Sequence, residues 1–117
     1  MAYELKEAIG PEHAITLVNN NPYFQFTPSN PWVGVGWRTK ESITVELAPL
    51  MAKHGIKFVH QSAARLHPAD SRLELTDGTS LNYDYLVIAT GPELAFDEVP
   101  GLGPDGHTHS VCTVDHA

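Results

Sequence analysis

Apolar positions change their period several times along the chain, and each change predicts an element. Tyr3, Leu5, Ala8 and Ile9 recur at near-helical spacing until Gly10-Pro11 stops them, so a short helix is expected over 2–9. Residues 14–18 form a compact apolar run between Pro11 and Asn19-Asn20-Asn21, the pattern of a buried parallel strand. Leu47, Leu50 and Met51 return to helical spacing, with Pro49 in the first turn and Gly55 as the breaker. Residues 56–60 then read as a strand. Three short runs, 64–66, 72–76 and 80–82, are split by Pro68-Ala69-Asp70 and Asp77-Gly78 and predict an antiparallel meander. Residues 84–89 are the most apolar run and predict a last core strand, cut off by Thr90-Gly91-Pro92. Residues 100–109, rich in Gly, Pro and His, read as a surface excursion before 111–114.

Helix, strand, loop, helix, strand, meander, strand is the order of a doubly wound α/β domain of Rossmann-like type, expected here as one domain over 1–117. Such a unit starts with a strand that enters a glycine-rich turn, followed by a helix whose N-terminus holds a pyrophosphate. The helix is present at 2–9; the first strand and glycine-rich turn before it are missing. The chain therefore reads as a partial dinucleotide-binding domain. A lost central strand would bare two rows of backbone N–H and C=O groups, so the flanking strands are expected to close on each other or to exchange between copies.

Between the first strand and the second helix lies a stretch with neither period, Asn21 to Trp37. Pro22, Pro28 and Pro31 fix three torsions there, while Tyr23, Phe24, Phe26, Trp32 and Trp37 bring large apolar area into a segment expected to face solvent. That combination reads as a loop built for a ligand.

This loop, above all Tyr-Phe-Gln-Phe-Thr-Pro-Ser-Asn-Pro-Trp, together with Ala89-Thr90-Gly91 at the end of the last strand, resembles the FAD domain of the sulfide:quinone oxidoreductases. The resemblance covers nearly the whole chain. It implies that Thr27, Pro28, Ser29 and Asn30 run beside the flavin and its diphosphate. Asn19 or Asn20 would meet the adenosine ribose, where such domains usually place an acid. Ser62 and Ala63 would meet the adenine edge, and Ala89, Thr90 and Gly91 would approach the cofactor at the carboxyl end of a strand. Cys112 resembles a cysteine beside the flavin ring, and His116 would handle a proton near quinone or flavin; four residues apart, they would share a face if the segment were helical. In the family, sulfide reduces FAD through cysteine chemistry and the flavin passes electrons to a membrane quinone, using two further cysteines that this chain does not contain. The piece alone is expected to be inactive and to hold FAD weakly or not at all. Neighbouring branches, a type II NADH dehydrogenase or a flavocytochrome sulfide dehydrogenase, and a flavin-free self-associating module are the alternatives.

Composition narrows the partners. With 117 residues, 42% hydrophobic and 18% charged, the chain is an ordinary globular sequence. A net charge of −7, with seven scattered Lys and Arg, leaves no basic stripe for nucleic acid or an anionic bilayer. No run approaches a membrane span and the N-terminus lacks signal-peptide character, which points to a cytoplasmic setting or, for the full-length enzyme, the membrane periphery. Cys112 is the single cysteine and has no partner at metal-site spacing; His107 and His109 lack a third ligand, so no metal is expected.

Overall fold

The computed structural model describes residues 1–117, which divide into two compact units, 1–24 with 46–88 and 25–45 with 89–117. The first holds helix α1 (Ala2–Ile9), strand β1 (Thr16–Asn19), helix α3 (Leu47–Lys53), strand β4 (Lys57–His60) and the meander β5 (Ala63–His67), β6 (Arg72–Leu75), β7 (Ser80–Asn82). The second holds helix α2 (Asn30–Gly34), single helical turns at Thr27–Ser29, Glu41–Ile43 and Phe96–Glu98, and otherwise turns. Strands β2 (Tyr23–Gln25) and β3 (Thr44–Glu46) pair with each other, and the chain passes from one unit to the other through them.

In the first unit β1 and β4 pair in parallel, from Thr16 opposite Lys57 to Asn19 opposite His60. The helix before β4 ends in a hydrogen-bonded stop: the Ile56 N–H donates to the Met51 carbonyl at 3.0 Å and the Gly55 N–H to Ala52 at 3.1 Å. Gly55, at φ 65°, takes the left-handed conformation this closure requires. The closure also folds Ile56 back onto Met51. With Leu47 they form the buried cluster, packed by Tyr3, Ile15, Leu17, Leu50 and Phe58. Helical and strand periods in the sequence thus converge on one core.

The meander follows its turn signals. β5 and β6 pair antiparallel, with Leu66 opposite Leu73, and β6 pairs with β7, with Leu73 opposite Leu81. At the Asp77-Gly78 turn the Asp77 carboxylate accepts the Thr79 amide at 2.9 Å and the Thr79 hydroxyl at 2.6 Å. These bonds, the hydroxyl's first, hold the Asp77 carboxyl below its usual range.

Three expectations fail. Residues 84–89 form no strand: Tyr85 is 94% and Ile88 68% exposed, and no ladder joins them to β1, whose sheet contains β4 alone. The expected closure of the two strands on each other is therefore not seen. An apolar run has no reason to hold a strand conformation when its N–H and C=O groups find no ladder. The stretch 21–37, expected to be irregular, contains β2, a helical turn and α2, because Pro28 and Pro31 sit in the first positions of helical turns, where a missing N–H costs nothing.

Two outcomes follow. Leu75, 2% exposed on β6, should destabilise the first unit by about 2–4 kcal/mol when changed to Ala, read by urea unfolding. Because the Asp77 carboxyl is held below its ordinary value of 3.8, its contribution to the β6–β7 hairpin is complete above that value and is lost as pH falls through the depressed one. Protection of the Thr79 amide should drop over that acid window, and Asp77→Asn should remove the pH dependence.

Candidate functional site

At the carboxyl ends of β1 and β4 the first unit gathers four of the expected residues. Asn19 ends β1, its side-chain amide donating to the Asn21 carbonyl at 3.2 Å, and the exposed Asn20 carbonyl lies 2.9 Å from the His60 ring Nε2. Ser62 and Ala63 follow β4; the Ser62 carbonyl accepts the Thr76 amide at 3.0 Å, and Ala63 opens β5 opposite Leu75. Two amide side chains beside a corner of small residues, at the carboxyl edge of a parallel pair, can take the hydroxyls and the flat edge of a nucleoside. The sheet places them together because residues that end paired parallel strands end at the same level.

The second unit divides the aromatic stretch into an outside and an inside. Phe26, Thr27 and Pro28 are exposed, whereas Ser29 and Asn30 are 0% exposed. Asn30 donates from its side-chain amide to the Val111 carbonyl at 2.7 Å, and Gln25 accepts the Val114 amide on its Oε1 at 3.1 Å. Lys40 pairs with Asp115. These contacts seat the segment that carries Cys112 against the aromatic stretch, and Val114 and Ile43 are buried there.

Of the expected cofactor contacts in this unit, then, Thr27 and Pro28 present themselves outward, while the Ser29 and Asn30 side chains are internal braces. Ala89, Thr90 and Gly91 are exposed, with Gly91 at φ 75°. Cys112 is exposed, and its backbone N–H donates to the Ser110 hydroxyl oxygen at 3.0 Å. His116 packs its ring 5.8 Å from Phe96, with a buried Nδ1 that has no hydrogen-bond partner. Since 111–116 is not helical, the four-residue spacing does not place Cys112 and His116 on a common face. No group of three or more His, Cys, Asp or Glu side chains is arranged to hold a metal ion. The run 101–106 has the Gly-x-Gly-x-x-Gly spacing but lies in turns with no helix after it, so it lacks the helix N-terminus such a turn serves.

Sequence reasoning missed Gln25, Lys40 and Asp115 as braces. One signal was available for the first: a lone Gln between Phe24 and Phe26 in an extended run must face opposite to both, and here both Phe are exposed while Gln25 is half-buried. An inverted alternation, apolar out and polar in, marks a strand whose outer face is meant to be covered.

No family model matches the chain. It is 41% identical over 116 residues to the sulfide-quinone reductase of Aquifex aeolicus (strain VF5), which covers 99% of this chain and 26% of that protein. The crystal structure of the Aquifex aeolicus sulfide:quinone oxidoreductase superposes on 98% of the chain with a TM-score of 0.86 and 41% identity, again over 26% of its length. NDH2 from Plasmodium falciparum, solved in complex with NADH, shares the fold with a TM-score of 0.74 over 90% of the chain and 22% of its own, at 22% identity. The chain thus spans about a quarter of the length of these proteins, and in sequence and fold it is similar to that part of the Aquifex aeolicus sulfide:quinone oxidoreductase.

The bracing gives a direct test. Gln25→Leu removes the acceptor of the Val114 amide and should speed its hydrogen exchange roughly fivefold, the equivalent of about 1 kcal/mol. Gln25→Glu keeps an oxygen there and should leave the rate near the native value.

Proposed function

We propose, from the premise that this chain is the counterpart of a quarter of a sulfide:quinone oxidoreductase, that it forms part of the FAD-binding domain of a flavoprotein that oxidises sulfide and reduces quinone. The observation that carries the reading is the inverted aromatic stretch. Phe24, Phe26, Thr27 and Pro28 face outward, and a fully buried Asn30 secures the stretch to the segment bearing Cys112.

The residues fit the group. Asn19 and Asn20 would hold the ribose hydroxyls and Ser62 and Ala63 would admit the adenine edge, because small side chains leave backbone groups within reach. Thr27, Pro28, Ala89, Thr90 and Gly91 would line the flavin side, and Ser29 and Asn30 keep the loop from collapsing into the space a ligand takes. FAD, when bound, supplies two-electron redox chemistry. Cys112 would present a thiol to sulfur chemistry, and His116 would hold or give up a proton. Alone the chain would bind FAD weakly, since it covers only a part of the domain.

No helix is long and apolar enough to cross a membrane. We place the complete enzyme in the cytoplasm or at the periphery of the plasma membrane, where a quinone is within reach. The free edge of β1 and the exposed run 85–88 are where further strands would add, from the rest of the enzyme or from a second copy.

The test uses the complete protein that carries this segment. Anaerobic sulfide should bleach its flavin absorbance and added quinone should restore it, with Cys112→Ser slowing the bleaching but not releasing the flavin. Bleaching by NADH and not by sulfide would assign the chain to an NADH-oxidising branch instead, and a colourless protein would favour a flavin-free module.

A further inference from the structure

Arg38 was not singled out by any motif, yet it is the most deliberately oriented cation in the chain. Its guanidinium carbon lies 4.2 Å from the centre of the Trp32 ring, and its Nη1 donates to the Ser29 hydroxyl at 3.2 Å. Ser29 is fully buried, so that hydroxyl is a fixed reference point. The backbone is fixed as well: the Trp37 and Arg38 amides both donate to the Trp32 carbonyl, at 2.7 and 3.1 Å.

A guanidinium held this firmly ordinarily serves a carboxylate. Arg38 takes part in none of the ion pairs, in contrast to Arg72 with Glu74 and Lys40 with Asp115. Arg38 also lines an open surface cleft of about 340 Å³, together with Trp37, Thr39 and Ser42, at the lower end of small-molecule sites. Trp37 is 77% exposed, so an indole ring stands free at the cleft. The Ser42 hydroxyl donates to the Thr39 carbonyl at 2.7 Å and keeps its lone pairs for a donor.

One negative group limits the charge the cleft can take. The Glu41 carboxyl is held below its usual range by its own backbone amide and by the Thr39 hydroxyl, so a carboxylate adjoins a lining residue. Lys40 also acts on Glu41 but is itself paired with Asp115, so Arg38 is the cation here outside any ion pair, which suits a ligand carrying a single negative charge and disfavours a phosphate dianion.

We propose that the Trp37–Arg38–Thr39–Ser42 cleft binds a planar aromatic monocarboxylate, its carboxylate taken by the free edge of the Arg38 guanidinium and its ring laid against Trp37. A carboxylate matches the planar fork of a guanidinium with two parallel hydrogen bonds, and stacking on Trp32 presets that fork before the ligand arrives. The site does not depend on the flavin assignment.

The two tryptophans of the chain, Trp32 and Trp37, flank Arg38, so their fluorescence reports the cleft directly. Titration of the purified chain with benzoate should quench it saturably with Kd on the order of 1 mM. Benzamide, which has the ring without the charge, and acetate, which has the charge without the ring, should each bind at least about tenfold more weakly. Arg38→Gln should weaken benzoate about tenfold, Arg38→Lys should recover only part of the loss, and Glu41→Gln should tighten it about twofold. Added salt should weaken binding. Circular dichroism of each variant confirms that it is folded, and Trp37→Leu, which leaves the Arg38 contacts intact, should also lose the ring's share. Equal binding of benzamide and benzoate, an unchanged Kd in folded Arg38→Gln, or no saturable quenching by benzoate would overturn the proposal.

Discussion

The hydrogen bond from the buried Asn30 amide to the Val111 carbonyl is the contact on which the second unit depends. From residue 89 onward this unit has no strand and only a single helical turn, so its backbone groups are not organised by a ladder. Order there must come from side chains. Asn30, Gln25 and Lys40 supply it from the aromatic stretch, each to a different position in a five-residue span. Of the three, the Asn30 bond is the one made by a side chain wholly removed from water, and a bond of this kind contributes about 0.5–1.5 kcal/mol. Lys40 and Asp115 are more exposed, and an ion pair of that kind contributes about 0–1 kcal/mol.

The first unit answers a different constraint. A parallel pair of strands cannot be closed by a hairpin, so β1 and β4 require a crossover, and the crossover must supply apolar cover for the pair. Helix α3 does so through Leu47 and Met51, with Ile56 turned back onto them by the Gly55 closure. One physical device, a left-handed glycine after a helix, therefore ends the helix, sets the entry of β4 and completes the core. The cost appears at 84–88, where an equally apolar run without a ladder remains exposed. Burial and hydrogen bonding must be satisfied together, and apolar character secures only the first.

This difference explains what could be read from the residues alone. The α1, α3, β4 and meander segments were legible because Gly10-Pro11, Gly55, Pro68 and Asp77-Gly78 mark their ends chemically and periodicity marks their middles. The strand at 84–89 was misread because its pattern is that of a strand and its missing ladder is not a property of the segment. The aromatic stretch was legible as unusual but not in its internal logic. Prolines that promised an irregular loop instead begin helical turns, and Ser29 and Asn30, selected as ligand contacts, turned out to face the interior. Arg38 left no signal at all, because five residues, the end of α2 and the turn after it, separate it from Trp32, and nothing in that spacing announces a stacked guanidinium.

Such inversions share a cause. A stretch that leaves Phe26, Thr27 and Pro28 exposed gains nothing from burying them, so its stability has to be drawn from the small polar residues beside them. Ser29 and Asn30 take the interior positions that aromatic residues would occupy in an ordinary loop, and their polar groups are matched to Arg38 and to the Val111 carbonyl. One acceptor, Asn30 Oδ1, is left unmatched. A buried amide oxygen without a donor is a standing cost that an apolar residue of the same shape would avoid, so its retention is an argument that the donor half of Asn30 does something a leucine could not: it holds the Cys112 segment at a fixed place beside the exposed aromatic face.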